Sequence, residues 1–231
     1  MRRLGRAALA FVALLAIYLA VAAGWAATSL DALLARWQQQ PQQLDPATLS
    51  QRQAAILLRI EDPTFYAHYG LSLADGQGAA TISSAVAREL FLYGPGLEGV
   101  RRMLQGFYRG VFECCKKVDF GRDAMALVLD ARVSKERQLA IYVAGIYMGR
   151  HEGRQVRGLE PAALAYLGKS LDKVDDDEMA QLVTMIRAPN ALHPVRERAA
   201  YQARLARVRA VLAGRCRPAG WFDTEYAHCG S

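Results

Sequence analysis

The first part of the chain is apolar on every face. From Ala7 to Ala27 no residue is charged, and only Gly24 falls outside the hydrophobic class. At about 1.5 Å per residue, a helix of this length spans roughly 31 Å, which matches the hydrocarbon core of a bilayer. The pattern therefore predicts one transmembrane helix; a cleaved signal peptide and a buried core helix are the alternatives.

The charges on either side of this stretch predict its orientation. Arg2, Arg3 and Arg6 precede it, and Asp31 is the first charge that follows. Because positive charge favours the cytoplasmic side, we expect a cytoplasmic N-terminus and a domain outside the cytoplasm beyond about residue 30. Trp25, near the outer end, is expected to anchor the helix at the membrane interface.

Helical spacing dominates the rest of the chain. The apolar stripe Ile56, Leu57 and Ile60 predicts a helix that ends near Glu61 and begins either at Asp45-Pro46 or at a Ser50 cap. Further helices are predicted over 81–91, 122–130, 134–148, 179–187 and 201–212. No long alternating strand pattern occurs, so we predict a mainly α fold.

Composition and charge narrow the class of protein. Hydrophobic residues make up 52% of the 231 positions and charged residues 22%, which excludes a disordered chain. The net charge of +7 indicates an anionic partner: a nucleic acid, an anionic membrane surface or a phosphorylated substrate. Nucleic acid is disfavoured, because the domain is expected outside the cytoplasm and carries no RNA-binding signature.

The strongest candidate for chemistry follows the first predicted helix of the domain. Glu61 and Asp62 end that helix and precede an aromatic pair and His68. A carboxylate at the end of an apolar helix is partly desolvated, which raises its pKa and suits general acid or base catalysis. The alternatives are that Glu61 or Asp62 caps a neighbouring helix and that His68 is an ordinary structural histidine.

The segment 61–70 has the pattern Glu-Asp-x-x-Phe-x-x-His-x-Gly, which resembles the first signature of family 51 glycosyltransferases, the peptidoglycan polymerases. The resemblance continues in the family's order over residues 50–195. It implies a lysozyme-like, mainly α domain that joins lipid-linked disaccharide pyrophosphates into glycan strands. The later blocks that carry it are 78–91, 127–136, 142–149, 162–169 and 178–194.

The later blocks depart from the family pattern. Ser83, Ser84 and Ala85 replace a Thr-Gln-Gln run, while Arg88 keeps the positive charge of a family Lys. Arg122 stands where the family has a second Glu. A family Glu and a family Asn are replaced by Ala140 and Ala144, and the only basic pair near the third block is Lys116-Lys117.

The resemblance implies specific roles. Glu61 would be the base that deprotonates the acceptor sugar's 4-hydroxyl, whose oxygen then attacks the anomeric carbon of the donor strand as lipid pyrophosphate leaves. Arg122 can bind pyrophosphate directly, which weakens the case for a divalent cation; no other cofactor is expected. The alternative is that the substitutions record lost activity. The residues expected to contact substrate are Asp62, Phe65, His68, Thr81, Arg88, Lys116, Lys117 and Arg122.

Other features of the sequence concern lipid contact and the C-terminal tail. Apolar and aromatic residues alternate with cations over 90–117, which favours either a segment at the lipid interface or an amphipathic helix on the core. The arginines of the last helix favour a solvated face or contact with anionic lipid. Cys216 and Cys229 are expected to form a disulfide in an oxidising periplasm. His228 beside Cys229 does not by itself indicate a metal site, because Cys-x-x-Cys spacing is absent.

Together these features predict a cytoplasmic tip and membrane anchor over 1–30, a lysozyme-like domain over 31–213 and a tail over 214–231. The leading function is a peptidoglycan glycosyltransferase of the bacterial inner membrane. The alternatives are an impaired relative that binds precursor or glycan and regulates cell-wall synthesis proteins, and a lytic glycosidase. The expected partners are the lipid-linked precursor or glycan strand, inner-membrane lipids and cell-wall synthesis proteins.

Overall fold

The computed structural model describes residues 2–39, 49–77, 80–114 and 119–230. Helices dominate this part of the chain, which confirms the prediction of a mainly α fold. They are α1 (Arg2–Gln38), α2 (Gln51–Glu61), α3 (Ile82–Ala87), α4 (Gly99–Cys114), α5 (Phe120–Arg132), α6 (Lys135–Gly145), α7 (Leu159–Leu167), α8 (Asp176–Ile186) and α9 (Arg198–Leu212). A π-helical segment, Arg88–Leu92, follows α3, and 3₁₀ turns lie at Leu171–Lys173 and Ala227–Gly230.

Local capping explains where several helices begin. Ser50 caps α2: its hydroxyl accepts from the backbone N–H of Gln53, and the Gln53 side chain accepts from the backbone N–H of Ser50. Asp175 and Glu178 form the same reciprocal box at the start of α8. These boxes satisfy backbone donors that the first helical turn leaves without partners. Asp45, the other predicted start of α2, lies outside the described residues.

The helix predicted to run to Met148 is shorter than expected. It ends at Gly145, and the chain then forms an antiparallel hairpin of β1 (Tyr147–His151) and β2 (Arg154–Arg157). The turn residues Glu152 and Gly153 both have positive φ, 49° and 79°, as type I′ hairpin turns require. The helix predicted over 134–148 was therefore wrong for its last residues, where the chain leaves the helix after Gly145 and enters β1.

The described residues form two compact units. The first contains 2–39, 69–71, 83–114 and 119–133, and the second contains 49–68, 72–77, 80–82 and 134–230. Each unit has its own buried apolar residues. In the second unit, α2, α8 and α9 pack together, and the buried Gln53 amide donates to the carbonyl oxygens of Leu171 and Val174 at 2.8 and 2.9 Å.

Helix α1 changes its surroundings halfway along its length. Its first part exposes large apolar side chains, whereas from Ala22 onward one face is buried against α5 and neighbouring elements of the first unit. The stretch Gly5–Gln38 is long and apolar enough to cross a membrane. The exposed apolar residues are Leu9, Phe11, Val12, Leu14, Ile17 and Val21.

Trp25 does not face lipid, contrary to the expectation of an interfacial anchor. Its side chain is only 4% exposed, and its indole N–H donates to the carbonyl oxygen of Arg101 at 3.2 Å. The indole ring lies 5.4 Å from the ring of Tyr108 and 5.8 Å from that of Phe91. The sequence placed Trp25 at the end of an apolar run, but tertiary packing by α4 covers it.

Candidate functional site

Glu61 is the last residue of α2 and lies partly buried in the second unit. Burial raises the pKa of its carboxyl from the usual 4.5 to about 7. Three interactions oppose that rise in pKa: the positive charge of Arg204, a hydrogen bond from Tyr142 and the positive charge of Arg187. The negative charge of the neighbouring Asp62 adds to the rise. The Tyr142 hydroxyl donates to Oε2 of Glu61 at 3.2 Å. A carboxyl group that titrates near neutral pH and is held in one orientation suits a general base.

Asp62 organises the loop that follows Glu61. Its side chain is fully buried, and its two oxygens accept four interactions from three partners. Nε2 of His68 lies 3.0 and 3.2 Å from the two oxygens, Nε2 of Gln77 donates at 2.7 Å, and the backbone N–H of Ile82 donates at 2.8 Å. Asp62 thereby fastens the end of α2 to the residues before α3. The predicted substrate contact of Asp62 is not supported, because these oxygens are inaccessible.

His68 connects this carboxylate to a cation. Nε2 of His68 faces the Asp62 carboxylate, and Nδ1 lies 3.5 Å from Nζ of Lys135. The Lys135 ammonium also lies 4.7 Å from the ring centre of the buried Phe65, in a cation–π contact. His68, Phe65 and Thr81 are all buried as well, so direct contact of their side chains with substrate is not supported.

The remaining predicted ligands belong to the first unit or lie outside the described residues. Arg88 is exposed at the start of the π-helical segment. Arg122 is 7% exposed, and its Nε and Nη2 donate to Oδ1 of Asp123 at 3.0 and 2.6 Å. The guanidinium that was expected to receive pyrophosphate is therefore already paired with a carboxylate. Lys116 and Lys117 lie outside the described residues.

The motif glycine Gly70 is required for packing inside the first unit. Its φ is +100°, and a Cβ there would lie 2.8 Å from the carbonyl oxygen of Ala126 on α5. Any larger residue would need both a strained backbone and a shift of α5. The glycine of the first signature thus allows a close approach of two backbones.

Arg204, beside Glu61, was not identified from the sequence. It was grouped with the arginines of the last helix, for which a solvated face or lipid contact was expected, yet its side chain is 4% exposed. Its guanidinium stacks 4.8 Å from the ring centre of Tyr226, and Nη1 donates to the carbonyl oxygen of Thr224 at 2.6 Å. The missed signal was its place among Tyr201, Leu205 and Val208 on the apolar stripe of α9.

The end of the chain is closed by a disulfide between Cys216 and Cys229, with a Cα–Cα distance of 5.6 Å. His228 lies close enough to both sulfurs for a metal cluster. Both of its ring nitrogens already face oxygens, however: Nε2 is 2.8 Å from the carbonyl of Arg217 and Nδ1 is 3.2 Å from Asp223. This arrangement favours a structural closure of the tail.

Comparison with known proteins identifies relatives of this chain. The transglycosylase family profile matches residues 29–213. Penicillin-binding protein 1B of Escherichia coli strain K12 is 31% identical over 144 residues, which are 61% of this chain and 16% of that protein. Penicillin-binding protein 1B of Buchnera aphidicola subsp. Baizongia pistaciae is 30% identical over 152 residues, 60% of this chain and 18% of that protein.

A relative of similar size occurs in Cupriavidus necator. That protein, provisionally named a transglycosylase, is 28% identical over 196 residues, which are 79% of this chain and 75% of the relative. The chain spans less than a fifth of the two penicillin-binding proteins. The match to the family profile ends at residue 213, so it does not include the disulfide-closed tail.

Proposed function

Because the chain belongs to the transglycosylase family, we propose that it polymerises glycan strands from lipid-linked disaccharide pyrophosphates at the bacterial inner membrane. The observation that carries this proposal is Glu61, the acid of the intact first signature. It is partly buried, has a pKa of about 7 and is oriented by Tyr142. The organised loop that Asp62 holds together gives this carboxyl a fixed position.

In the proposed reaction Glu61 acts as the base. With a pKa near 7 it is about half ionised at neutral pH. It is therefore available to accept a proton and is a stronger base than a glutamate with the usual pKa of 4.5. It takes the proton of the acceptor sugar's 4-hydroxyl, and that oxygen attacks the anomeric carbon of the donor. The bond from that carbon to the pyrophosphate oxygen breaks, and lipid pyrophosphate leaves.

The first unit supplies the proposed membrane contact. The apolar half of α1 would span the bilayer, with its N-terminal arginines in the cytoplasm and the remaining domain in the periplasm. Helix α4 lies alongside, since the ring of Tyr18 is 5.6 Å from that of Tyr108 and 6.5 Å from that of Phe107. Helix α4 leaves Val100, Met103 and Phe107 exposed, which suits insertion at the lipid interface.

A second function is favoured by one specific observation. Arg122 replaces a family Glu and is paired with Asp123, so it is not poised to receive a leaving pyrophosphate. This pairing favours an impaired relative that binds precursor or nascent glycan and regulates a polymerase. Among the described residues, no contact gives comparable support to the lytic glycosidase.

One assay separates these functions. The full-length protein in vesicles is incubated with labelled lipid-linked disaccharide, and polymer, fragments and unreacted precursor are separated. We expect polymer with the wild type and with Glu152→Gln, an exposed control, and none with Glu61→Gln. Precursor binding without polymer favours the regulatory function, and fragments from preformed glycan favour lytic cleavage. Full polymerase activity of Glu61→Gln would overturn the assignment of the base.

A further inference from the structure

The tail, residues 214–230, follows the part of the chain that matches the family profile and packs inside the second unit. Its contacts include the end of α2, arginines on and near α8 and α9, and the loop before α3. Three of these contacts are independent of one another. Tyr226 packs on the end of α2, Glu225 pairs with two arginines, and Gly220 and Pro218 contact the loop before α3.

Tyr226 docks the tail on the end of α2. Its side chain is buried, and its hydroxyl donates to the carbonyl oxygen of Ile60, the residue before Glu61, at 3.1 Å. Its φ is +51°, a left-handed conformation that is costly for a residue with a bulky side chain. Such a conformation persists where packing and hydrogen bonds over-determine it, so the docking of Tyr226 is specific.

Glu225 engages the two arginines that act on Glu61. Nε of Arg187 donates to Oε1 of Glu225, and Nη1 of Arg204 lies 3.9 Å from Oε2. Burial acts to raise the pKa of Glu225, but the hydrogen bond and charge of Arg187, with the charge of Arg204, lower it. Glu225 is therefore ionised at neutral pH and compensates both guanidinium groups.

The third contact reaches the loop that holds Asp62. The backbone N–H of Gly76 donates to the carbonyl oxygen of Gly220 at 3.0 Å, and a Cβ at Gly76 would overlap the ring of Pro218. The next residue, Gln77, donates to the Asp62 carboxylate. The tail thus braces the same loop that fixes the position of the first signature.

From these contacts we infer that the tail positions the catalytic base: Glu225 and Tyr226 hold Arg187 and Arg204 beside Glu61 as a fixed, partly compensated pair. The inference rests on the proposed function. The Cys216–Cys229 bond closes the segment that carries both residues, so this positioning depends on an oxidised tail.

Loss of the tail's contacts should lower the pKa of Glu61. The groups that act on Glu61 are the guanidinium groups of Arg204 on α9 and Arg187 after α8, the Tyr142 hydroxyl on α6 and the adjacent Asp62 carboxylate. The phenol of Tyr226 in the tail also interacts with Glu61. Without Glu225, both guanidinium groups lose their counter-charge and act more strongly on Glu61, which lowers its pKa. Undocking the tail also admits water, and this lowers the pKa of Glu61 as well.

The test measures the ionisation of Glu61 directly, without substrate. Full-length protein in detergent micelles is labelled with ¹³C at the glutamate carboxyl carbon, and the Glu61 resonance is identified by its loss in Glu61→Gln. We expect Glu225→Gln to lower the Glu61 titration midpoint by about one pH unit, the scale on which a nearby charge acts. Glu225→Asp should restore most of the wild-type midpoint, and Glu152→Gln should not change it.

A second comparison covers the case in which Glu225→Gln does not fold. The wild-type protein is titrated before and after reduction of Cys216–Cys229, and the Cys216→Ser variant is titrated alongside. Both should show a lowered Glu61 midpoint. An unchanged midpoint, within a few tenths of a pH unit, in folded Glu225→Gln or in the reduced protein would overturn the inference.

The outcomes for the tail and for the proposed function are distinguishable. If the wild type makes no polymer but the Glu61 midpoint responds to Glu225→Gln, the proposed function fails and the positioning by the tail stands. If the wild type makes polymer and the midpoint does not respond, the positioning fails and the polymerase function stands.

Discussion

The hydroxyl of Tyr142 on α6 donates a hydrogen bond to Oε2 of Glu61 at the end of α2, at 3.2 Å. A donor of this kind stabilises the ionised carboxylate and lowers its pKa, against the larger effect of burial. The two residues are 81 positions apart in the sequence, so only the folded second unit makes Tyr142 a partner of the candidate base.

Replacement of Tyr142 by Phe should raise the pKa of Glu61 above about 7, because it removes the hydrogen bond that stabilises the ionised carboxylate. The base is then less ionised at neutral pH, and we expect polymer formation at pH 7 to fall by about threefold to tenfold. The acid limb of the pH–rate profile should move to higher pH. Tyr147→Phe, which removes an exposed hydroxyl bonded to Asn190, is the matched control. A limb that moves to lower pH would contradict this role.

Glu61 should also make the protein less stable as the pH rises. Its folded pKa of about 7 lies above its unfolded value of 4.5, so the folded state holds the proton more tightly. The resulting stability is fully present below about pH 4.5 and is lost as the pH rises through about 7. At pH 8 we expect the unfolding free energy of Glu61→Gln to be up to about 3 kcal/mol higher than that of the wild type. At pH 4 we expect no such increase. Denaturant unfolding at the two pH values measures this, and an equal difference at both would refute it.

Asp62→Asn should destabilise the second unit. An amide nitrogen would face the donors of His68, Gln77 or the backbone of Ile82, so at least one buried donor would lose its acceptor. The expected loss of unfolding free energy is about 3 kcal/mol. Thermal or denaturant unfolding of the full-length protein gives the measurement, with the exposed Asp172→Asn as the control. A loss no greater than that of the control would show that Asp62 does not organise the loop.

The exposed apolar face of α4 should be needed at the membrane and not for folding. Met103 is 74% exposed, so Met103→Asp should leave thermal unfolding in detergent unchanged. In vesicles, where a charge at the lipid interface is unfavourable, we expect polymer formation to fall by about tenfold or more. Val195→Asp changes an equally exposed apolar residue of the second unit and should have little effect. Equal activity of Met103→Asp and wild type in vesicles would argue against insertion of α4.

Local chemistry made part of this structure predictable. The caps of α2 and α8 depend on residues three positions apart, so Ser50 and the Asp175–Glu178 pair could be identified from spacing. The hairpin was missed because its turn, Glu152-Gly153, lacks the Asn or Asp that usually marks such turns. Its strands are short, so alternation gave little further signal.

Of the residues at the candidate site, only Glu61 could be given a role from the sequence, as a candidate base. The place of Arg204 on the apolar stripe of α9 indicates burial, but its partners Thr224, Glu225 and Tyr226 lie about twenty residues later, and no local pattern encodes those contacts. Arg122 is buried on α5 and pairs with the adjacent, partly exposed Asp123, and this pairing does not follow from adjacency alone. Substitutions from a family pattern therefore locate the changed positions without giving their new partners.

The unbroken course of α1 has a mechanical consequence. One helix, Arg2–Gln38, contains both the exposed apolar half and the half buried in the first unit, with no hinge between them. If the apolar half spans the bilayer, a change in bilayer thickness that tilts the helix must tilt the first unit by the same angle. The thickness of the bilayer would then determine both the height of that unit above the lipid and its angle to the membrane plane.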